Sequence, residues 1–186
     1  MKKGLLIIYS GPSGVGKGTV REHFIDDQDL NLVYSISMTT RKPRKDEVDK
    51  VDYFFVSEEE FQDAIKNYEL LEYASFVGNS YGTPKQYVED MRNKGYNVIL
   101  EIEVEGAKQI MKNASDHLSI FLLPPNMDEL ENRIRNRNSE PEEVVQKRLS
   151  KAESELHMVD EYDYSVCNTT PEQAAAEIKR IIKENI

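Results

Sequence analysis

Leu5-Leu6-Ile7-Ile8-Tyr9-Ser10-Gly11-Pro12-Ser13-Gly14-Val15-Gly16-Lys17-Gly18-Thr19 begins as an unbroken apolar run and passes into a glycine-rich turn. A continuous run of this kind reads as a strand buried on both faces, as in a parallel sheet. Gly11 to Lys17 fits the spacing G-x-x-x-x-G-K, and a helical stretch from Thr19 to Ile25 follows. Strand, glycine loop and helix in that order are the context in which this motif cradles phosphate. Glycines let several backbone N–H groups turn toward one concavity. The helix N-terminus adds partial positive charge and Lys17 adds a full one. Gly11, Pro12, Ser13, Gly14, Val15, Gly16, Lys17, Gly18 and Thr19 are thus candidate ligands of a nucleoside triphosphate. Position 18 is Gly, so the hydroxyl expected near a magnesium ion is displaced by one residue. Either Thr19 supplies it, or water and phosphate oxygens hold the ion. The loop leaves the acceptor open: water, a protein, a metabolite or a nucleotide.

Working outward, Val98-Ile99-Leu100 with Ile102, Leu118 to Leu123, and Tyr164-Ser165-Val166-Cys167 are further strand candidates. Between and after them the apolar spacing is helical: Met127, Leu130 and Ile134, then Val144, Val145, Leu149, Ala152 and Leu156. A last helix has Thr170 as N-cap and Pro171 at its first position, with Ala174, Ala175, Ile178, Ile181 and Ile182 on its inner face. Alternating strands and helices predict an α/β fold with a mostly parallel sheet. Residues from about 34 to 84 differ. Asp52 to Val56 and Leu70 to Ala74 alternate polar and apolar residues, while Val77 to Ser80 and Tyr81-Gly82 carry turn signals. They predict a small, partly antiparallel insertion, with a short helix starting at the capping box Ser57 to Glu60.

Composition narrows the possible functions. The 186 residues carry 24 Lys+Arg against 34 Asp+Glu, a net charge of −10. That balance argues against broad nucleic-acid or anionic-membrane binding, while allowing a local basic pocket. Cys167 is the single cysteine, so no internal disulfide framework exists. His23, His117 and His157 have no zinc-like spacing. No apolar run approaches the ~18 residues of a membrane span, and Leu5 to Tyr9 is too short for a secretory signal. The expectation is a cytoplasmic protein of one domain over residues 1–186. Nothing in the sequence sets an oligomeric state.

Ser35 to Arg44 places hydroxyls ahead of two arginines three residues apart, Arg41 and Arg44, with Pro43 keeping the segment out of helix. Two arginines on one loop can grip a phosphate with several donors; the alternative is a solvated basic turn. Arg133 and Arg137 share a helix face at i, i+4, and Arg148 lies at the edge of a buried face. Arg135 points elsewhere. The break between the helices, Arg137 to Ser139 with a fresh cap at Ser139, has the look of a lid over phosphates.

These motifs, in this order, resemble guanylate kinases over nearly the whole chain. The resemblance rests on Gly11 to Thr19, Ser37 to Arg44, Asp52 to Val56, Leu71-Glu72, Gly78 to Thr83, Leu100 to Gly106, and Arg133, Arg137 and Arg148. It implies a P-loop core of about five parallel strands (1–33, 95–134 and 149–186), an inserted mixed-β GMP-binding lobe (34–94) and a short helical lid (135–148). It further implies transfer of the γ-phosphoryl of ATP to GMP with Mg²⁺, in purine nucleotide metabolism. Arg41, Arg44, Tyr53 and Tyr81 would hold the GMP phosphate. Glu72 would accept from guanine N1–H and the exocyclic amine, with Ser37 and Thr83 against O6. Glu103, where the family usually has Asp, would meet the amino edge, and Glu105 stands where it often has Gln. Lys17, Arg41, Arg133, Arg137 and Arg148 would be catalytic. Asn168, after the last strand, is a candidate for adenine by position, with a plain turn residue as the alternative. The rival readings are a catalytically silent guanylate-kinase-like interaction module and a kinase for another nucleoside monophosphate.

Overall fold

A computed structural model describes residues 2–76, 78–137 and 141–186. The chain runs β1 (Leu6–Ser10), α1 (Lys17–Glu22), β2 (Leu32–Tyr34), β3 (Met38–Thr39), β4 (Phe54–Phe55), α2 (Glu58–Lys66), β5 (Leu70–Phe76), β6 (Asn79–Pro84), α3 (Lys85–Asn93), β7 (Asn97–Glu101), α4 (Val104–Asn113), β8 (His117–Leu123), α5 (Met127–Arg137), α6 (Glu142–Leu156), β9 (Tyr164–Cys167) and α7 (Pro171–Asn185). Among the described residues, β1 is the middle strand of a five-stranded sheet in the order β2-β7-β1-β8-β9. Every pairing in it is parallel.

The unbroken apolar run of β1 follows from burial on both faces. Ile7 and Tyr9 pack into a cluster with Val20 of α1, Leu130 and Ile134 of α5, Ala152 of α6 and Ile178 of α7. Leu6 and Ile8 face the other way, onto Val88 of α3 and Val104, Ala107 and Ile110 of α4. Helices therefore cover both sides, as the α/β reading expects. α7 is capped by the Thr170 hydroxyl, which accepts from the Gln173 N–H, and buries Ala174, Ala175, Ile178, Ile181 and Ile182. Buried Arg92 on α3 ties the sheet's lower edge together, donating to the Gly4 carbonyl at 2.9 Å, Glu89 at 2.8 Å and the Asp116 carboxylate at 2.7 Å.

The insertion forms a second sheet, β4-β3-β6-β5, parallel between β3 and β4 and otherwise antiparallel. The capping box at α2 is reciprocal: the Ser57 N–H donates to Glu60 and the Glu60 N–H to the Ser57 hydroxyl. Tyr81-Gly82, expected as a turn, lies inside β6 instead. A side chain at Gly82 would come within 2.9 Å of the Glu72 carbonyl and of Leu70, so this glycine serves close packing rather than a bend. α1 also differs from expectation. It starts at Lys17 and ends at Glu22, after which tight turns drive Phe24 edge-on against Tyr9, ring centroids 6.0 Å apart. Val144, expected on a buried stripe, is exposed. The cap expected at Ser139 lies outside the described residues. Among the described residues, no helix is long and apolar enough to cross a membrane.

Candidate active site

The phosphate loop leaves β1 at Ser10 and enters α1 at Lys17. Gly16, in the left-handed conformation at φ 95°, is the N-cap of α1, where a larger residue would be strained. Lys17 is folded back along the loop: its Nζ donates to the Gly11 carbonyl at 2.7 Å. Burial pushes its pKa down, while the carboxylates of Glu103, Glu101 and Glu155 pull it up. The loop is braced from behind. The Val15 carbonyl accepts from Asn168 Nδ2 at 2.8 Å and from Arg133 Nη1 at 3.1 Å. Arg133 also donates to the Asn168 carbonyl and to Glu129. Asn168 is only 2% exposed and acts as a strut beneath the loop.

From α6, Arg148 Nη2 donates to the Ser13 hydroxyl at 3.2 Å. Glu155 is buried, accepts from the Ser13 N–H at 3.4 Å and pairs with Lys151 at 3.5 Å. Desolvation raises its pKa, while Lys151 opposes that shift. Arg135 does point elsewhere, bridging Glu131 on its own helix and Glu142 on α6. Arg137 ends α5, and its side chain lies outside the described residues.

In the second sheet, the β3–β6 register sets Thr39 opposite Tyr81. The Tyr53 and Tyr81 rings stand 6.4 Å apart, and the Arg41 guanidinium lies over Tyr53 at 5.3 Å and Phe55 at 5.8 Å. Arg41, Tyr53 and Tyr81 are therefore together. Arg44 is on the same loop with an exposed side chain. Arg41 forms a fork with Glu47, at 2.9 and 2.8 Å, and Glu47 also accepts the Arg44 N–H at 2.7 Å.

Glu72, on β5, is 7% exposed. Its Oε1 accepts from the Thr83 hydroxyl at 2.6 Å. A Cβ on Gly106 of α4 would fall 2.7 Å from its Oε2, so that position must stay bare for the carboxylate to lie there. Burial raises the Glu72 pKa and the Thr83 hydrogen bond lowers it. Ser37 is half-buried, and its carbonyl accepts the Phe54 N–H at 2.9 Å. Gln109 of α4 fastens the two sheets: its side chain donates to the Tyr73 carbonyl and accepts the Tyr73 N–H.

The junction between β7 and α4 thus serves both halves. Glu101 and Glu103 act electrostatically on Lys17, and Gly106 lies against Glu72. Glu103 itself is exposed, is the N-cap residue of α4 and pairs with Lys151 of α6 at 3.1 Å. Three residues of the candidate site were not singled out by sequence: Glu47 beside Arg41, and Glu101 and Glu155 near the glycine loop. An acid closing a buried strand next to β1 marked Glu101, and an acid one turn after Ala152 and two turns after Arg148 marked Glu155.

A divalent cation is a matter of fit. Among the described residues, no three or more His, Cys, Asp or Glu side chains converge on a metal site. The loop mouth has an exposed Thr19 hydroxyl and the Glu101 carboxylate, which bonds Arg21 at 2.6 Å and lies 3.8 Å from where a Gly18 Cβ would be. Few donors, all oxygen, suit an ion that keeps its waters and arrives on phosphates.

The family model described as guanylate kinase matches residues 3–185. The guanylate kinase of Mesoplasma florum is 55% identical over 180 residues, 97% of this chain and 61% of the relative. That of Bacillus cereus is 53% identical over 97% of this chain and 88% of its own length. The first relatives are thus longer, and this chain spans 61% of them. A crystal structure of guanylate kinase from Anaplasma phagocytophilum superposes with a TM-score of 0.74 at 33% identity, covering 100% of this chain and 87% of that one.

Proposed function

Because the chain belongs to the guanylate kinase family, we propose that it transfers the γ-phosphoryl of ATP to GMP, forming ADP and GDP. The observation that carries this reading is the buried Glu72 carboxylate, bonded to Thr83 and lying against Gly106. An ionised carboxylate only accepts, and guanine offers it N1–H and N2–H side by side. Adenine has no donor at N1 and would leave Glu72 desolvated and half-paired. Such a mismatch discriminates by as much as about 10⁴-fold.

In this scheme the amides of residues 13–19 cradle the ATP phosphates, with Lys17 at their terminal end. Arg41, Arg44, Tyr53 and Tyr81 hold the GMP phosphate, with Ser37 and Thr83 beside guanine O6. Glu103 reaches the amino edge only by leaving Lys151. Transfer spreads charge over the equatorial phosphoryl oxygens, so positioned cations are the main requirement. Lys17, Arg41, Arg133, Arg137 and Arg148 are the cations assigned to that task. Arg133 would exchange its carbonyl partners for phosphate as residues 135–148 close over the site, excluding water. Mg²⁺, held through its waters by Thr19 and Glu101 together with the phosphates, would neutralise charge on the triphosphate. No general base is required, because the acceptor oxygen belongs to a phosphate already ionised near neutral pH.

The test is turnover. The protein is incubated with MgATP and, separately, GMP, AMP, CMP or UMP, and ADP and nucleoside diphosphate are quantified. GDP with stoichiometric ADP, from GMP alone, is expected. Equal turnover of AMP would refute the reading of Glu72, and binding of GMP without turnover would favour an interaction module.

A further inference from the structure

The partners of Arg41 divide its guanidinium into an end held by Glu47 and Lys42 and a lateral edge on the side of Tyr81. A guanidinium carries five N–H donors in a planar fork. Nη1 donates to Glu47 Oε2 at 2.9 Å and to the Lys42 carbonyl at 2.9 Å, and Nη2 donates to Glu47 Oε1 at 2.8 Å. These bonds occupy the end of the fork. The lateral edge, Nε–H with the second Nη2–H, takes part in none of these three bonds; Tyr81, itself assigned to the acceptor's phosphate, also hydrogen-bonds the Arg41 side chain. Glu47 does a second thing: its Oε2 accepts the Arg44 N–H at 2.7 Å, which sets the backbone from which Arg44 projects. Tyr53 and Phe55 support the flat face of Arg41. One carboxylate thereby organises both arginines of the loop. It is ionised throughout the physiological range, held down at about 2 chiefly by Arg41 and then by the Arg44 N–H.

We propose that Glu47 is a positioning residue of the acceptor site: by holding the end of Arg41 and the amide of Arg44, it aims the lateral edge of Arg41 at the acceptor's phosphate. The assignment rests on the reading of GMP as acceptor. Two effects of opposite sign meet here. The negative charge of Glu47 repels an incoming phosphate, and the order it imposes on Arg41 favours binding, since a freely rotating side chain must be immobilised by the ligand. Ordering prevails, because Glu47 and the phosphate take different edges of the fork and do not compete for a donor.

The experiment compares the wild-type chain with the Glu47→Gln and Glu47→Asp variants. Steady-state kinetics give KM for GMP and for ATP and kcat; calorimetry gives binding of GMP and of guanosine; melting checks the fold. The E47Q variant is expected to raise KM and Kd for GMP about tenfold. Its KM for ATP and guanosine affinity should stay within twofold. The E47D variant, which keeps the charge but is one methylene shorter, should fall between wild type and E47Q. An unchanged GMP KM in E47Q overturns the proposal, and a lower one identifies Glu47 as a competitor of the phosphate. Parallel loss of guanosine and GMP affinity reduces Glu47 to a scaffold residue. If E47Q does not fold, the same comparison is read on E47D, where unchanged GMP affinity overturns the proposal. A wild-type protein that neither binds nor phosphorylates GMP refutes the function itself, independently of any variant.

Discussion

Replacing Glu72 by Gln moves affinity and stability in opposite directions. The side chain is nearly isosteric, and the bond from Thr83, 2.6 Å in the wild type, can be kept by the amide oxygen. The amide then accepts one guanine donor, while its NH₂ faces the other. One charge-assisted hydrogen bond is lost, at about 1.5–3 kcal/mol, and a buried donor is left unpaired, at about 1–3 kcal/mol. The sum, about 2.5–6 kcal/mol, corresponds to a roughly 70- to 25,000-fold fall in kcat/KM for GMP. KM for ATP should not move. The empty protein should become more stable. Burial raises the Glu72 pKa in the fold, so the native state binds the proton more tightly than the unfolded chain. Wild-type stability therefore falls as pH rises through and above the ordinary glutamate range, about 4.3. Glutamine has no such titration. Its advantage should be clear at pH 7 and shrink as pH drops below about 4. Coupled kinetics with GMP and thermal melts at pH 4 and 7 test both halves. Unchanged GMP kinetics would sink the base-reading argument, and a lower melting temperature for the variant at pH 7 would contradict the desolvation argument.

Other perturbations probe separate parts of the molecule. Lys17→Met should lower kcat about 10³-fold or more by removing a cation from the transferring phosphoryl, with a normal circular dichroism spectrum; near-wild-type turnover would remove the lysine's role. Gly106→Ala places a Cβ 2.7 Å from Glu72 Oε2, so GMP affinity should fall at least tenfold with KM for ATP preserved. A crystal structure of that variant should show Glu72 displaced. Arg92→Ala removes a buried guanidinium, leaves Lys3 as the remaining partner of Asp116 and Glu89, and should cost about 1–3 kcal/mol in urea denaturation. Asp116 is held below the ordinary aspartate range, first by its bond to Arg92. Its contribution is complete above about pH 4 and is lost as pH falls toward the depressed value. The wild-type-to-variant gap should narrow in acid, and a gap that widens would refute the pairing.

The parallel core was legible because burial on two faces leaves an unmistakable mark. Leu6 to Tyr9 and Val98 to Leu100 are apolar without interruption, Leu118 to Leu122 is broken only by Ser119, and all are buried. β2 escaped notice because three edge residues, Leu32–Tyr34, form no pattern. α3 escaped because only Val88 and Arg92 are buried, and an arginine does not read as core. Tyr81-Gly82 misled because a glycine in a strand looks like a bend until the neighbouring Glu72 backbone is known. In the site, spacing along the chain brought out Gly11 to Lys17 and the arginine pair Arg41 and Arg44. It could not show that Arg133 spends its donors on the Val15 and Asn168 carbonyls, or that Glu103 reaches Lys151. Those partners lie far off in sequence, and no local pattern encodes them.

Glu155 gives the proposed nucleotide cradle an occupant of its own. The Ser13 N–H has a single hydrogen, and in this structure a carboxylate rooted in α6 takes it. An arriving triphosphate that needs the same hydrogen must evict that side chain. The eviction is mechanical as well as electrostatic, because the helix that loses its foothold also carries Arg148 and the Lys151 partner of Glu103. If the cradle takes a triphosphate as proposed, filling it would be felt some distance away, as a tug on α6.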